Sequence, residues 1–159
     1  YVAAGFLRNM AWDANHGFND MSPLEDVDVI YFDSSQIDRC EDRRWEIALS
    51  QKMPTVNWQV KNQARMHLRN GHQAYTDIVS AMRYWPEKET AVAVRLTGEQ
   101  LEWCSGFGFM CLFNNTISYN ELRPYALFEQ RIAKKQWQRH WPMLRVLGSE
   151  KDDIHDTER

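Results

Sequence analysis

The stretch Leu24-Glu25-Asp26-Val27-Asp28-Val29-Ile30-Tyr31-Phe32-Asp33 decides how the rest of the chain is read. It places two carboxylates one residue apart and then runs into Val-Ile-Tyr-Phe, the richest β-forming run in the sequence. Side chains alternate between the faces of a strand, so Asp26 and Asp28 share a face, with apolar residues packing beneath them. Neighbouring carboxylates repel unless a cation lies between them or one is protonated. A divalent ion that accepts carboxylate and phosphate oxygens together, Mg²⁺ above all, resolves the repulsion. The alternative is a strand start decorated with acids, because Asp is common where loops become strands.

The chain has 159 residues, enough for one domain with a sizeable core. With 43% hydrophobic and 26% charged residues it falls among ordinary soluble globular proteins, not disordered or membrane chains. No apolar run approaches the roughly 20 residues needed to cross a bilayer, and no signal peptide is visible. The chain opens on Tyr1-Val-Ala-Ala-Gly without an initiator Met, as if inside a strand, and reads as a piece of a longer sequence. Cys40, Cys104 and Cys111 are odd in number and lack metal-ligand spacing; they read as reduced thiols of a cytoplasmic protein.

A net charge of −3 argues against wholesale nucleic-acid binding but hides an uneven distribution. Glu121 to Arg145 carries a local balance of +4, and Gly148 to Arg159 one of −3. The basic stretch suits a polyphosphate, a nucleic acid or a solvated helix face. The acidic end, 148–159, has almost no apolar residue and reads as a disordered tail, leaving 1–147 as a single domain.

Along the chain, Val2-Ala3-Ala4 reads as the end of a buried strand, and Gly5 leads into a helix with Phe6, Leu7, Met10 and Ala11 at helical spacing. A strand, a glycine and a helix start form an anion site, since free N–H groups and the helix dipole face the ligand. Arg8 in the first turn could add a charged fork to phosphates; a plain strand-to-helix turn is the bland reading of the same residues. Glu41 to Gln51 is predicted helical with Trp45, Ile47, Ala48 and Leu49 on its buried side, and Asn57 to Asn62 as a second central strand. A further helix spans about Thr76 to Tyr84. Ala91 to Trp103 reads as a hairpin turning at Thr97-Gly98-Glu99, and Phe107 to Phe113 as a short apolar segment of helical character. A long helix from Tyr125 to about Leu144 is interrupted at Pro142. Alternating helices and strands predict an α+β protein, a mixed β-sheet covered by helices. His67 has two readings, a residue near the site and a hydrogen-bonded structural histidine.

Taken together, these stretches resemble the small bacterial nucleotidyltransferase-like proteins of the nucleotidyltransferase superfamily. The resemblance is carried by Ala4-Gly5-Phe6-Leu7-Arg8-Asn9 with Trp12-Asp13, and by Asp26-Val-Asp28-Val-Ile-Tyr-Phe-Asp33. Trp58 through His67, Trp85-Pro86-Glu87 with Thr90, and Arg131 with Lys134, Trp137, Trp141 and Pro142 extend it to about Leu147. It implies a nucleotidyltransferase fold with a C-terminal helix, and Mg²⁺ or Mn²⁺ held by Asp26 and Asp28 as the catalytic pair. It also implies an NTP whose phosphates meet Gly5, Arg8, Lys61 and Asn62, and a hydroxyl acceptor that the sequence leaves unnamed. Enzymes of the superfamily usually add a third carboxylate on a neighbouring strand, where this chain has Asn62. A second departure is Met110-Cys111 before Leu112-Phe113, where the family carries an acidic pair. Two functions follow: a metal-dependent nucleotidyltransferase, and a catalytically silent nucleotide- or ligand-binding member of the same fold. RNA binding through the basic C-terminal helix is a third and more remote reading.

Overall fold

A computed structural model describes residues 1–148; the acidic segment beyond them lies outside the described residues. Five strands form one mixed sheet: β1 (Val2–Ala3), β2 (Val27–Tyr31), β3 (Trp58–Asn62), β4 (Val92–Thr97) and β5 (Gln100–Ser105), in the order β3-β2-β1-β4-β5. Only β2 and β3 run parallel; β1 pairs antiparallel with both β2 and β4, as does β4 with β5. Gly98 takes a positive φ of 61° in the two-residue turn that joins β4 to β5, and this is the hairpin the sequence anticipates.

Each face of the sheet carries its own core. On one, Ala3, Ile30, Ala91 and Ala93 pack against Met82 of α4 (Ile78–Met82) and against Trp85. The small side chains in the middle strands let Met82 and Trp85 come down onto the sheet. On the other, Val92 meets Leu7 of α1 (Gly5–Asn15) and Leu112 of a 3-10 turn over Met110–Phe113. A third cluster joins Trp12, Phe128, Trp137, Trp141 and Leu144 to Ile117. It ties α1 to α5 (Tyr125–Lys135) and to a small parallel pair, β6 (Thr116–Ser118) and β7 (Arg145–Leu147).

Three expectations are corrected. The strand at Asn57–Asn62 is not central: β3 is an edge strand. The helix expected at Glu41–Gln51 is α2 (Arg39–Lys52), and it does not bury Trp45 or Ile47, which are 49% and 51% exposed. Its buried residue is Asp42, because α2 covers the open edge of β3 with carboxylates instead of an apolar stripe. Asp42 Oδ1 accepts from Asn62 N at 3.1 Å and Glu46 Oε1 from Val60 N at 2.9 Å, which satisfies edge donors that would otherwise be left open. The C-terminal helix stops at Lys135, not at Pro142. Gln136 adopts a left-handed conformation (φ 51°, ψ 37°) that closes α5 and turns Trp137 and Trp141 back onto Trp12.

Candidate active site

The middle of the sheet presents Asp28 and, one register step away on the parallel neighbour, Lys61. Ile30 pairs with Lys61 and Asp28 with Gln59, so all four point to the same face. Lys61 Nζ donates to Asp28 Oδ1 at 2.9 Å. Both side chains line a cleft of about 400 Å³, walled by Tyr84 and Trp85 on one side and by α5 on the other. Five cations line it (Lys61, Arg69, Arg123, Arg131 and Lys134), and Asp28 is the single carboxylate among the lining residues. Arg123 brings a buried Nε that has no hydrogen-bond partner. An aqueous cleft with this balance is built for a polyanion.

The floor beside Asp28 continues into the start of α1. Ala4 lines the cleft in a conformation normally reserved for glycine (φ 55°, ψ −124°). Its carbonyl accepts the first helical bonds, from Leu7 N and Arg8 N. The N–H groups of Gly5 and Phe6 precede those bonds and are orphan donors of the helix N-terminus. Gly5 itself has an ordinary φ. A Cβ there would meet Arg8 Nη2 at 3.3 Å, so the glycine makes room for the arginine folding back.

Arg8 is not in the cleft. Only 7% exposed, it lies between the rings of Trp12 and Trp137, 4.9 and 4.7 Å from their centroids. Its Nη1 donates to Thr90 Oγ1 at 2.9 Å, and its Nε and Nη2 donate to Asn9 Oδ1. Burial lowers its pKa to about 10, with the Glu87 charge opposing that shift. Thr90 in turn donates to Glu87 Oε2 at 2.9 Å, and the fully buried Glu87 carboxylate holds Arg131 in a bidentate ion pair. Arg8 therefore sets Thr90 and, through Glu87, Arg131, and these two do line the cleft. Arg131, one of the residues that carry the family resemblance, lines the cleft where Arg8 does not.

Asn62 is likewise withdrawn. Its side chain is fully buried on the opposite face from Lys61; Oδ1 accepts from Asp33 N and Ala64 N, and Nδ2 donates to Asp33 O and Gln36 O. No hydrogen-bonding capacity is left for a ligand. Asp26 lies just before β2, exposed and outside the lining of the cleft, so strand alternation does not set its side chain beside Asp28. Among the described residues no set of three or more acids, histidines or cysteines converges on a metal position. Glu87 and Glu89 are near enough to Arg8 to share its field with Asp28, but both are occupied. Glu89 accepts from Thr116 Oγ1 and from the N–H and hydroxyl of Ser118. His67 is structural: its Nδ1 meets Ala64 O at 2.8 Å, and its ring packs edge-on to Tyr75.

A mixed sheet whose face bears an aspartate beneath a helix N-terminus, ringed by cations, defines a phosphate-handling α+β domain. A sequence-family model described as nucleotidyltransferase matches residues 1–146, and the chain belongs to that family. A solved structure described with the words "The NMR structure of the protein reveals a CCA-adding enzyme head domain" aligns with a TM-score of 0.76 at 31% identity. The alignment covers 94% of this chain and 81% of that one. No curated protein matches. Family and fold make the chain a transferase with a nucleotidyl-transfer function.

Proposed function

We propose that the chain moves a nucleoside monophosphate from an NTP to a hydroxyl acceptor, with Asp28 and Asp26 holding Mg²⁺ or Mn²⁺. The observation that carries this reading is the cleft itself, which five cations and Ala4, at the start of α1, line together with a single carboxylate. Lys61, Arg123, Arg131 and Lys134 counter the charge of a triphosphate. The donor chemistry fits the metal: Asp28 on β2 and the unpaired Asp26 just before it would supply hard carboxylate oxygens, as Mg²⁺ prefers. When bound, the metal neutralises phosphate charge and steadies the leaving pyrophosphate. The acceptor oxygen forms a bond to the α-phosphorus as the bond from that phosphorus to the β-phosphate oxygen breaks. Pyrophosphate leaves, and the hydroxyl proton passes to solvent. The solved relative's description as the head domain of a CCA-adding enzyme supports an NTP donor.

A silent nucleotide-binding role is the second reading, favoured by Lys61, which already pairs with Asp28. Thermal melts with Mg²⁺ or Mn²⁺ and each NTP test binding, and pyrophosphate release in the presence of candidate acceptors tests turnover. Absence of any NTP-dependent stabilisation sinks both readings. Stabilisation without pyrophosphate release, in wild type and Asp28→Ala alike, selects the second.

A further inference from the structure

The same Lys61 that closes one side of the cleft also lines a second groove, of about 770 Å³, on the far side of β3. Lys61, Met66 and Arg69 line both, so the groove and the cleft share a wall. Arg39, Arg43, Lys61, Arg65 and Arg69 face the groove against two acids, Asp42 and Glu46. Those acids are already engaged. Asp42 takes Tyr31 Oη, Asn62 N and the Arg65 guanidinium, and Glu46 takes Val60 N. Arg39, Arg43 and Arg69 are exposed, and among the described residues none makes a hydrogen bond, ion pair or ring contact. Three exposed guanidinia without protein partners on one concave surface concentrate a positive potential that attracts a polyanion.

We infer that this groove is the acceptor track, seating a single-stranded polynucleotide whose terminal hydroxyl enters the cleft past Lys61. The inference rests on the nucleotidyl-transfer reading for its direction but not for its binding chemistry. Arg39 and Arg43 are one helical turn apart on α2, about 6 Å along the axis, a step on the scale of successive phosphates in an extended strand. Arg69, on α3 (Met66–Asn70), lines both the groove and the cleft and so links the two. The lining side chains include Val60, Met66 and Leu68 but no aromatic ring, so binding is dominated by phosphate contacts and not by base stacking. A chain with a net charge of −3 binds nucleic acid only if its cations are concentrated in this way.

The test is fluorescence anisotropy of a short labelled oligoribonucleotide, titrated at several salt concentrations. Three phosphate contacts predict a log–log salt slope of about −2, at roughly 0.7 per contact on a single strand. Arg39→Gln with Arg43→Gln lowers the slope to about −0.7 and weakens binding about tenfold or more at low salt. The melting temperature and the NTP-dependent shift stay unchanged, because neither arginine has a partner to lose. No binding at low salt overturns the inference, as does a double variant that binds within twofold of wild type. Loss on Lys134→Gln with none on the double variant overturns it too, by moving the contact to α5. If the NTP shift is absent while the oligonucleotide binds through Arg39 and Arg43, the nucleotidyl-transfer reading fails and the groove stands. The reverse pattern removes the groove alone.

Discussion

Replacing Glu87 by Gln tests the wall that sets the cleft cations. The Glu87 side chain is 1% exposed and serves three donors: Thr90 Oγ1 at 2.9 Å, Arg131 Nη2 at 3.1 Å, and Arg131 Nε. An amide keeps one acceptor oxygen but turns an N–H₂ toward one of those donors, and it removes the countercharge from Arg8 as well. Breaking a buried pair by removing one partner costs about 3–5 kcal/mol. Arg131 is 30% exposed and can regain water, which brings the cost below that range, to about 2–3 kcal/mol. For a domain of this size that is a drop of roughly 5–10 °C in melting temperature. Urea and thermal melts measure it, with Glu121→Gln as the reference. Glu121 pairs with Lys88 at 3.0 Å while 70% exposed, and its loss should cost under about 1 kcal/mol. NTP-dependent stabilisation should fall in Glu87→Gln, because Thr90 and Arg131 lose their alignment. It should survive Glu89→Gln, whose partners Thr116 and Ser118 lie away from the cleft. The reasoning is refuted if Glu87→Gln costs no more than Glu121→Gln, or if it leaves the NTP shift intact.

Asp28→Ala should leave the fold within about 1 kcal/mol of wild type, since its pair with Lys61 is 26% and 40% exposed; the same melts should lose the metal–NTP stabilisation, worth about 2.7 kcal/mol at a hundredfold excess over Kd. Ala4→Gly relieves a backbone conformation that costs about 1–3 kcal/mol and gives up a buried methyl worth about 0.8 kcal/mol, so denaturant melts should show a gain near 1 kcal/mol. Burial alone would raise the Asp13 pKa, but hydrogen bonds from Ser22 Oγ, Ser22 N and Trp141 Nε1 outweigh it and hold the carboxyl below its ordinary range. A depressed native pKa means stability that is present above about pH 4 and lost as pH falls through the native value. Asp13→Asn should therefore destabilise at neutral pH by about 2 kcal/mol, and the gap to wild type should narrow in acid melts.

The sheet was legible where the local pattern matched the local outcome. Val27-Asp28-Val-Ile-Tyr31 reads as a strand with Asp28 and Ile30 on one face, although Asp26 falls just outside it, and Thr97-Gly98-Glu99 reads as a tight turn, because alternation and glycine act within a few residues. Arg8 was misplaced for the opposite reason. Its position in the first turn of α1 is compatible with a phosphate, and what turns it inward is the face of Trp137, more than a hundred residues later. Asn62 resembles a displaced metal ligand until its partners Asp33 and Gln36, across the edge of β2, are seen to use every atom of its amide. The apolar cluster at Trp45 to Leu49 predicts burial, but the edge of β3 required acceptors for its N–H groups and so selected Asp42 and Glu46. β6 and β7 span three residues each, too short for alternation to register. Arg123, Arg131 and Lys134 look like a solvated basic face, and only the packing of α5 on Trp12 and Ile117 carries them over Asp28.

That placement gives Lys61 two roles that a single substitution separates. In the free cleft its ammonium holds Asp28 at 2.9 Å, where it neutralises the aspartate and competes with any divalent cation for the same oxygen. With a triphosphate present, the same charge serves the phosphates. Lys61→Met keeps the aliphatic stem against the sheet and removes the charge, leaving Asp28 unpaired and 26% exposed. Mn²⁺ alone should then bind tighter than to wild type, and NTP without metal should bind more weakly. Losing one cation of five across a partly solvated cleft corresponds to about 1 kcal/mol, or roughly fivefold, in each direction. Calorimetric titration of each ligand separately reads the two effects. A variant in which both affinities fall would mean that Lys61 orders Asp28 instead of screening it, and the competition between ammonium and metal would have to be abandoned.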